Sequence, residues 1–186
     1  MNTSFCCLIT ATKPSSLLDA AIDSCKKDSW LYDIYIDSAF NGPHKSREAL
    51  LNKTYSDSKI QYIRYLDYDD TLLPHQYEME RIFSQFPDTD IIYTNAIMKM
   101  PSGISHIINY TGDPATDILA IHPWSWVAKK EALERIKTIY GYVWNYDVTY
   151  REGGYLWLKF IEAGLNIKYV PISAYQYNKT FNYLFF

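Results

Sequence analysis

The chain has 186 residues, 48% hydrophobic and 17% aromatic, a composition that excludes disorder and suits one folded domain with a sizeable core. Its formal net charge is −3 and no long basic run occurs. Broad nucleic-acid binding is therefore excluded, because it rests on many Lys and Arg contacts to phosphate. No apolar run reaches the length of a membrane span, and no signal-type core opens the chain, so a cytoplasmic protein is expected. Cys6, Cys7 and Cys25 are odd in number and form no CxxC pair, which suits reduced thiols better than disulfides or structural zinc.

In chain order, the first half alternates strand and helix signals. SFCCLITA (Ser4 to Ala11) is a short apolar run that reads as a strand. KPSSLLDAAIDSCKK follows, and its Leu17, Leu18, Ala21, Ile22 and Cys25 fall at helical spacing behind Pro14 and two serines. YDIYIDS (Tyr32 to Ser38) is a second strand that ends at Asp37, and FNGPHKSREALLNK turns into a short helix. SKIQYIRYL is a third strand that delivers Asp67 at its carboxyl end. LPHQYEMERIFSQF is a helix with Pro74 near its start, and DIIYTNAIMKM is a fourth strand.

The second half is less regular. ISHIINY reads as a strand, TGDPATD as a loop or helix start, and SWVAKKEALERI as a strand running into a helix. GYVWNYDVTYREGG reads as a loop, YLWLKFIEAG as a helix capped by Gly164, NIKYVP as the last strand and SAYQYNKTFNYLFF as an aromatic tail. This order predicts a single Rossmann-type α/β domain with a mostly parallel central sheet flanked by helices. In such sheets ligands bind beyond the carboxyl ends of the strands, so Asp37 and Asp67 are expected to face one crevice.

LDYDDTLL (Leu66 to Leu73) allows two chemistries. Its D-x-D-x-T-L spelling resembles the first motif of haloacid-dehalogenase-like phosphatases. That resemblance implies Asp67 attacking phosphorus, Asp69 as acid and base, and further motifs at Thr94, Asp113 and Asp117. Context is against it: two strand–helix units precede this strand, whereas that family's nucleophile belongs to its first strand.

The second resemblance covers most of the chain. FCCLITATKPSSLLDAAIDSC, DIYIDSAFNGPHKSREALL, IRYLDYDD, FPDTDIIYTN, HPWSWVAKKEALERI and REGGYLWLKFIEAGLNIKYVPISAYQYN stand in the order and spacing of family 2-type glycosyltransferases. The resemblance implies the GT-A fold, with residues 1–100 as the nucleotide-sugar-binding half and 101–186 as the acceptor-side half, and transfer, with inversion, of a sugar from a nucleotide-diphosphate donor to an acceptor. It implies Asp69 of the D-x-D motif as a ligand of Mn²⁺ or Mg²⁺, Asp67 on the ribose or on the metal through water, Asp37 on the nucleobase, and Arg47 near the donor phosphates. It implies a base in the E-D pair ahead of the LWLRL-like helix; here that pair is Glu152-Gly153, so Glu152 or Asp147 of the preceding loop would serve. A non-catalytic nucleotide-sugar or glycan-binding module is the alternative that Gly153 motivates.

Position adds further candidates. Thr10 and Lys13 follow the first strand and are placed to contact a nucleotide. His122 could reach phosphate, metal or acceptor, while Trp124, Trp126, Trp144 and Tyr155 could stack on an acceptor sugar. The acceptor is open: a glycan, a lipid carrier, a protein or a modified base. A second copy of the chain, as a homodimer, could complete its site.

Overall fold

Phe5–Thr10 forms strand β1, and burial of all its residues explains its continuous apolar spelling. β1 lies between β2 (Leu31–Asp37) and β3 (Tyr62–Asp67) and runs parallel to both. The register sets Thr10 opposite Asp37 on one side and opposite Asp67 on the other. Three predicted site residues thus stand level at the carboxyl edge. The computed structural model that gives this arrangement describes residues 5–11, 14–26, 31–37, 42–74, 77–118, 124–144 and 152–179.

Helices α1 (Ser16–Lys26) and α2 (Pro43–Tyr55) make the two crossovers. α1 begins where the Ser15 hydroxyl accepts the Leu18 N–H, and it buries Leu18, Ala21 and Cys25. Their spacing is the stripe expected from the sequence. α3 (Tyr77–Gln85) follows later and buries Met79, Ile82 and Phe83 in a separate apolar layer with Phe5, Ile92 and Val127.

The mostly parallel sheet expected from the sequence is instead mixed. Its order is β2-β1-β3-β7-β5-β8-β4, with β6 on β5. β7 (Trp126–Lys129) runs antiparallel between β3 and β5 (Ile91–Lys99). β6 (Ser105–Ile108) returns on β5 through a turn at Gly103, and strands joined so closely must pair antiparallel. β4 (Thr71–Leu72) pairs antiparallel with β8 (Ile167–Asn178). Parallel pairing is kept in β2–β1–β3 and in β5–β8. β8 also absorbs the start of the expected aromatic tail, as far as Asn178.

The remaining helices are α4 (Pro114–Asp117), α5 (Lys130–Tyr140) and α6 (Glu152–Glu162). Below the Asp67 edge lies an aromatic cluster: Tyr65 meets Trp144, Trp124 and Trp126 at ring distances of 5.2, 5.8 and 5.9 Å. No helix of the described residues is long and apolar enough to cross a membrane.

The turn before α4 is held by one buried carboxylate. Asp117 accepts from the Tyr93 hydroxyl, the Thr111 N–H and hydroxyl, and the Gly112 N–H. Gly112 has φ of 90°, and a Cβ there would lie 3.1 Å from the Tyr169 ring. Gly112→Ala is expected to lower stability by about 1–3 kcal/mol, read by chemical denaturation. An unchanged midpoint would mean that Tyr169 yields and the turn tolerates a side chain.

Candidate functional site

After the buried run Ile63–Leu66, β3 surfaces at Asp67, whose side chain is 30% exposed. Asp67 Oδ1 accepts from Thr10 Oγ1 at 3.2 Å and from Arg47 Nη2 at 3.0 Å, and Oδ2 accepts from Trp124 Nε1 at 2.7 Å. A carboxylate offers about four acceptor directions, so about one is left for a ligand. Arg47 is buried, with its guanidinium 4.3 Å from the Trp124 ring centroid and 5.0 Å from that of Trp144. A buried cation needs such partners: Asp67 supplies the charge and the two indoles supply their π faces.

Past Asp67 the chain turns, the Asp70 N–H bonding to the Asp67 carbonyl at 3.1 Å. Asp69 is half-buried, and desolvation together with the charge of Asp67 holds its carboxyl above the usual range. Its main-chain carbonyl accepts from Asn178 Nδ2 at 2.7 Å. Asp70 points inward, 1% exposed, where it accepts from the Tyr175 hydroxyl and from the Asn178 N–H at 2.8 Å. Burial pushes its carboxyl up to about 8. Of the three aspartates, one is clamped, one is half-buried beside it and one anchors the turn to β8.

The structure therefore gathers Thr10, Arg47, Asp67 and Trp124 into one hydrogen-bonded group. Trp124 is 1% exposed, with Arg47 over its ring, so it supports Asp67 and offers no open face for a sugar. Trp126 and Trp144 are core residues as well, whereas Tyr155 is on the surface. Asp37 is half-buried at the end of β2, on the other side of β1 from Asp67, and its carbonyl accepts the Ala11 N–H. Lys13, His122 and Asp147 lie outside the described residues, as does the side chain of Glu152, which opens α6. The next turn packs closely: a Cβ on Gly154 would lie 3.4 Å from the Ile118 carbonyl oxygen.

The residues behind the phosphatase spelling have local duties. Asp113 caps α4 by accepting the Ala115 N–H, Asp117 holds the preceding turn, and the Thr94 hydroxyl bonds to the carbonyl of Ser125.

Four residues at or behind the site were not singled out from sequence: Glu48, Lys159, Tyr175 and Asn178. Tyr175 and Asn178 sit in AYQYN, whose alternating tyrosines carry the period of a strand, a signal that could have placed them. Glu48 and Lys159 leave no such trace, because the main-chain groups they hold are remote in sequence.

Two cavities of about 420 and 410 Å³ lie elsewhere. One is lined by Gln61, Tyr62 and Lys130, the other by Phe86, Asn166 and Lys168, at the amino ends of β3 and β8. Both are at the edge opposite Asp67, the wrong end for a ligand bound by strand carboxyl termini. Among the described residues no three His, Cys, Asp or Glu side chains gather as a metal cage.

No protein-family model matches the chain, and no curated protein sequence matches it. Solved structures do match. S. aureus TarS 1-349 in complex with UDP-GlcNAc superposes with a TM-score of 0.74 at 11% identity, over 97% of this chain and 60% of that one. A further structure of S. aureus TarS 1-349 gives 0.67 at 14% identity, over 95% and 60%. A197 from STIV gives 0.58 at 14% identity, over 91% and 82%. The fold is GT-A-like.

In this GT-A-like sheet the Thr10–Asp67 edge is the carboxyl edge of three parallel strands. The chain spans 60% of the length of the TarS 1-349 fragment that it matches. At such identities the likeness is one of fold, and the arrangement of side chains at the edge is this chain's own.

Proposed function

We propose that the protein is a metal-dependent glycosyltransferase that moves a sugar, with inversion, from a nucleotide-diphosphate donor to an acceptor hydroxyl. The observation that carries this reading is Asp67, held by Thr10, Arg47 and Trp124 at the carboxyl edge of a GT-A-like sheet. The matched TarS structures include complexes with UDP-GlcNAc and with UDP, which supports a nucleotide-sugar donor.

The donor set suits a divalent cation in one respect. Asp67 already accepts from three donors, but Asp69 is a hard oxygen ligand whose ionised form is disfavoured by burial and by the charge of Asp67, and a cation would reverse that. Asp69 would hold Mn²⁺ or Mg²⁺, which would supply neutralisation of the charge that builds on the departing diphosphate. The chain's own residues do the rest. Asp67 keeps one acceptor direction for a ribose hydroxyl or a metal-bound water, and Arg47 fixes that carboxylate. Asp37, Thr10 and Lys13 are assigned to the nucleotide, and His122 to the acceptor side. In the transfer step the acceptor oxygen bonds to the anomeric carbon, the bond to the diphosphate breaks, and the hydroxyl proton passes to Glu152 or Asp147. The buried cysteines, none of them in a disulfide, suit a reducing cytoplasm.

A second reading, a nucleotide-sugar-binding module without turnover, is favoured by Gly153 at the place where the family resemblance expects the base. Thermal unfolding with UDP- and GDP-sugars, with and without Mn²⁺, tests the shared part, since a ligand of the folded state raises its melting temperature. A shift that requires Mn²⁺ is expected. No shift with any nucleotide sugar would sink both readings. Slow donor hydrolysis that disappears in Glu152→Gln separates the enzyme from the binding module.

A further inference from the structure

Between α5 and α6, Val143 and Trp144 lie outside regular structure, so their main-chain groups need partners from elsewhere. Those partners are two buried charged side chains on different helices. Glu48 of α2 takes the N–H groups of Val143 and Trp144 on one oxygen, at 3.2 and 3.1 Å, and its other oxygen lies 3.9 Å from Lys137 Nζ of α5. Lys159 of α6 donates to the Val143 carbonyl at 2.9 Å, with its ammonium 4.0 Å from the Tyr142 ring centroid and 5.5 Å from that of Tyr140.

Burying a glutamate and a lysine is costly, and an apolar pair of similar volume would fill the space more cheaply. Burial already pushes the Lys159 ammonium down to about 8. What the charged pair adds is geometry, because main chain gripped on both its N–H and C=O sides cannot slide or rotate. Trp144 is the residue so fixed. Its ring lies 5.7 Å from Trp124 and 5.0 Å from the Arg47 guanidinium, and Arg47 holds Asp67 at 3.0 Å.

We infer that Glu48 and Lys159 are positioning residues for the donor site: they brace Val143–Trp144 from both sides and so hold Trp144 against Arg47, which orients Asp67. This rests on the nucleotide-sugar reading given above. Neither residue touches the donor; both act through Trp144 and Arg47.

The test is a double-mutant cycle on the full chain, with UDP titrated calorimetrically in Mn²⁺ against wild type, Lys159→Met, Arg47→Lys and the double variant. Lys159→Met is expected to weaken UDP about 10-fold, as loss of an outer supporting partner does. Lys159→Arg should restore binding, and Lys159→Met should cost nothing further once Arg47 is lysine. Wild-type affinity in Lys159→Met, or a full additive loss in the double variant, overturns the inference. If Lys159→Met does not fold, Glu48→Gln replaces it in the same cycle, with the same outcomes. A wild-type protein that binds none of UDP, GDP and ADP overturns the donor reading. The brace is then judged by tryptophan emission, which Lys159→Met or Glu48→Gln must change if Trp144 is released and which stays unchanged if the brace is wrong.

Discussion

Asp69→Ala is expected to remove the Mn²⁺-dependent part of UDP binding and leave the fold intact. Asp69 is half-buried beside a second carboxylate, and both desolvation and that neighbour disfavour its charge. On the metal-dependent reading a bound cation would reverse the balance, and the energetic value of Asp69 would belong to the liganded state. We expect the UDP dissociation constant in Mn²⁺ to rise roughly 100-fold, about 3 kcal/mol. In EDTA the variant and the wild type should bind alike, and the unliganded variant should melt no lower. Asp67→Asn should behave differently. It leaves the buried Arg47 guanidinium without its carboxylate, so binding and stability fall together, the latter by about 1–3 kcal/mol because Asp67 is part-exposed. An Asp69→Ala protein that keeps its Mn²⁺-dependent affinity would remove Asp69 from the metal.

Asp70→Asn is expected to make the protein more stable, and increasingly so as pH rises. The folded carboxyl holds its proton up to about 8, whereas an ordinary one releases it near 3.8. Between those values the folded state binds more protons than the unfolded state, so wild-type stability falls as pH rises through the window. The loss is complete above about pH 8 and amounts to about 6 kcal/mol. Asparagine has the shape of the neutral acid and does not ionise. Urea unfolding in EDTA should therefore give the variant a gain of about 1–2 kcal/mol near pH 5 and about 4–6 kcal/mol near pH 8.5. A wild-type protein equally stable at both values would mean that Asp70 ionises freely where it lies.

How much of this was legible follows from where the partners are. β1, β3 and β5 are spelled as apolar runs because they are buried, and α1 keeps its stripe, so local sequence suffices for them. The direction of β7 has no local signature: WVAK reads the same whether it runs with β3 or against it. β4 has two residues, too few for any periodicity, and it exists because β8 lies beside it. The site divides in the same way. Asp67 could be picked out because it ends a buried strand. In sequence Trp124 reads as a residue that could stack on an acceptor sugar, whereas its indole serves Asp67, a contact between residues 57 apart. Asp70 looks like its neighbours in sequence, and only Tyr175 and Asn178 reveal that it faces inward.

Those separations also set when the site can exist during synthesis. The bonds that Asp67 receives from Thr10 and Trp124 each join residues 57 apart, and those tying Asp70 to Tyr175 and Asn178 span 105 and 108. Contacts so distant close late, after the entropy of large loops has been overcome. A nascent chain whose β8 is still inside the ribosome has β1, β2 and β3 available to pair, yet its Asp67–Asp70 turn is untied and Asp70 is open to water. The turn is therefore tied down, and Asp70 shut away from water, only once β8 has been laid beside β4.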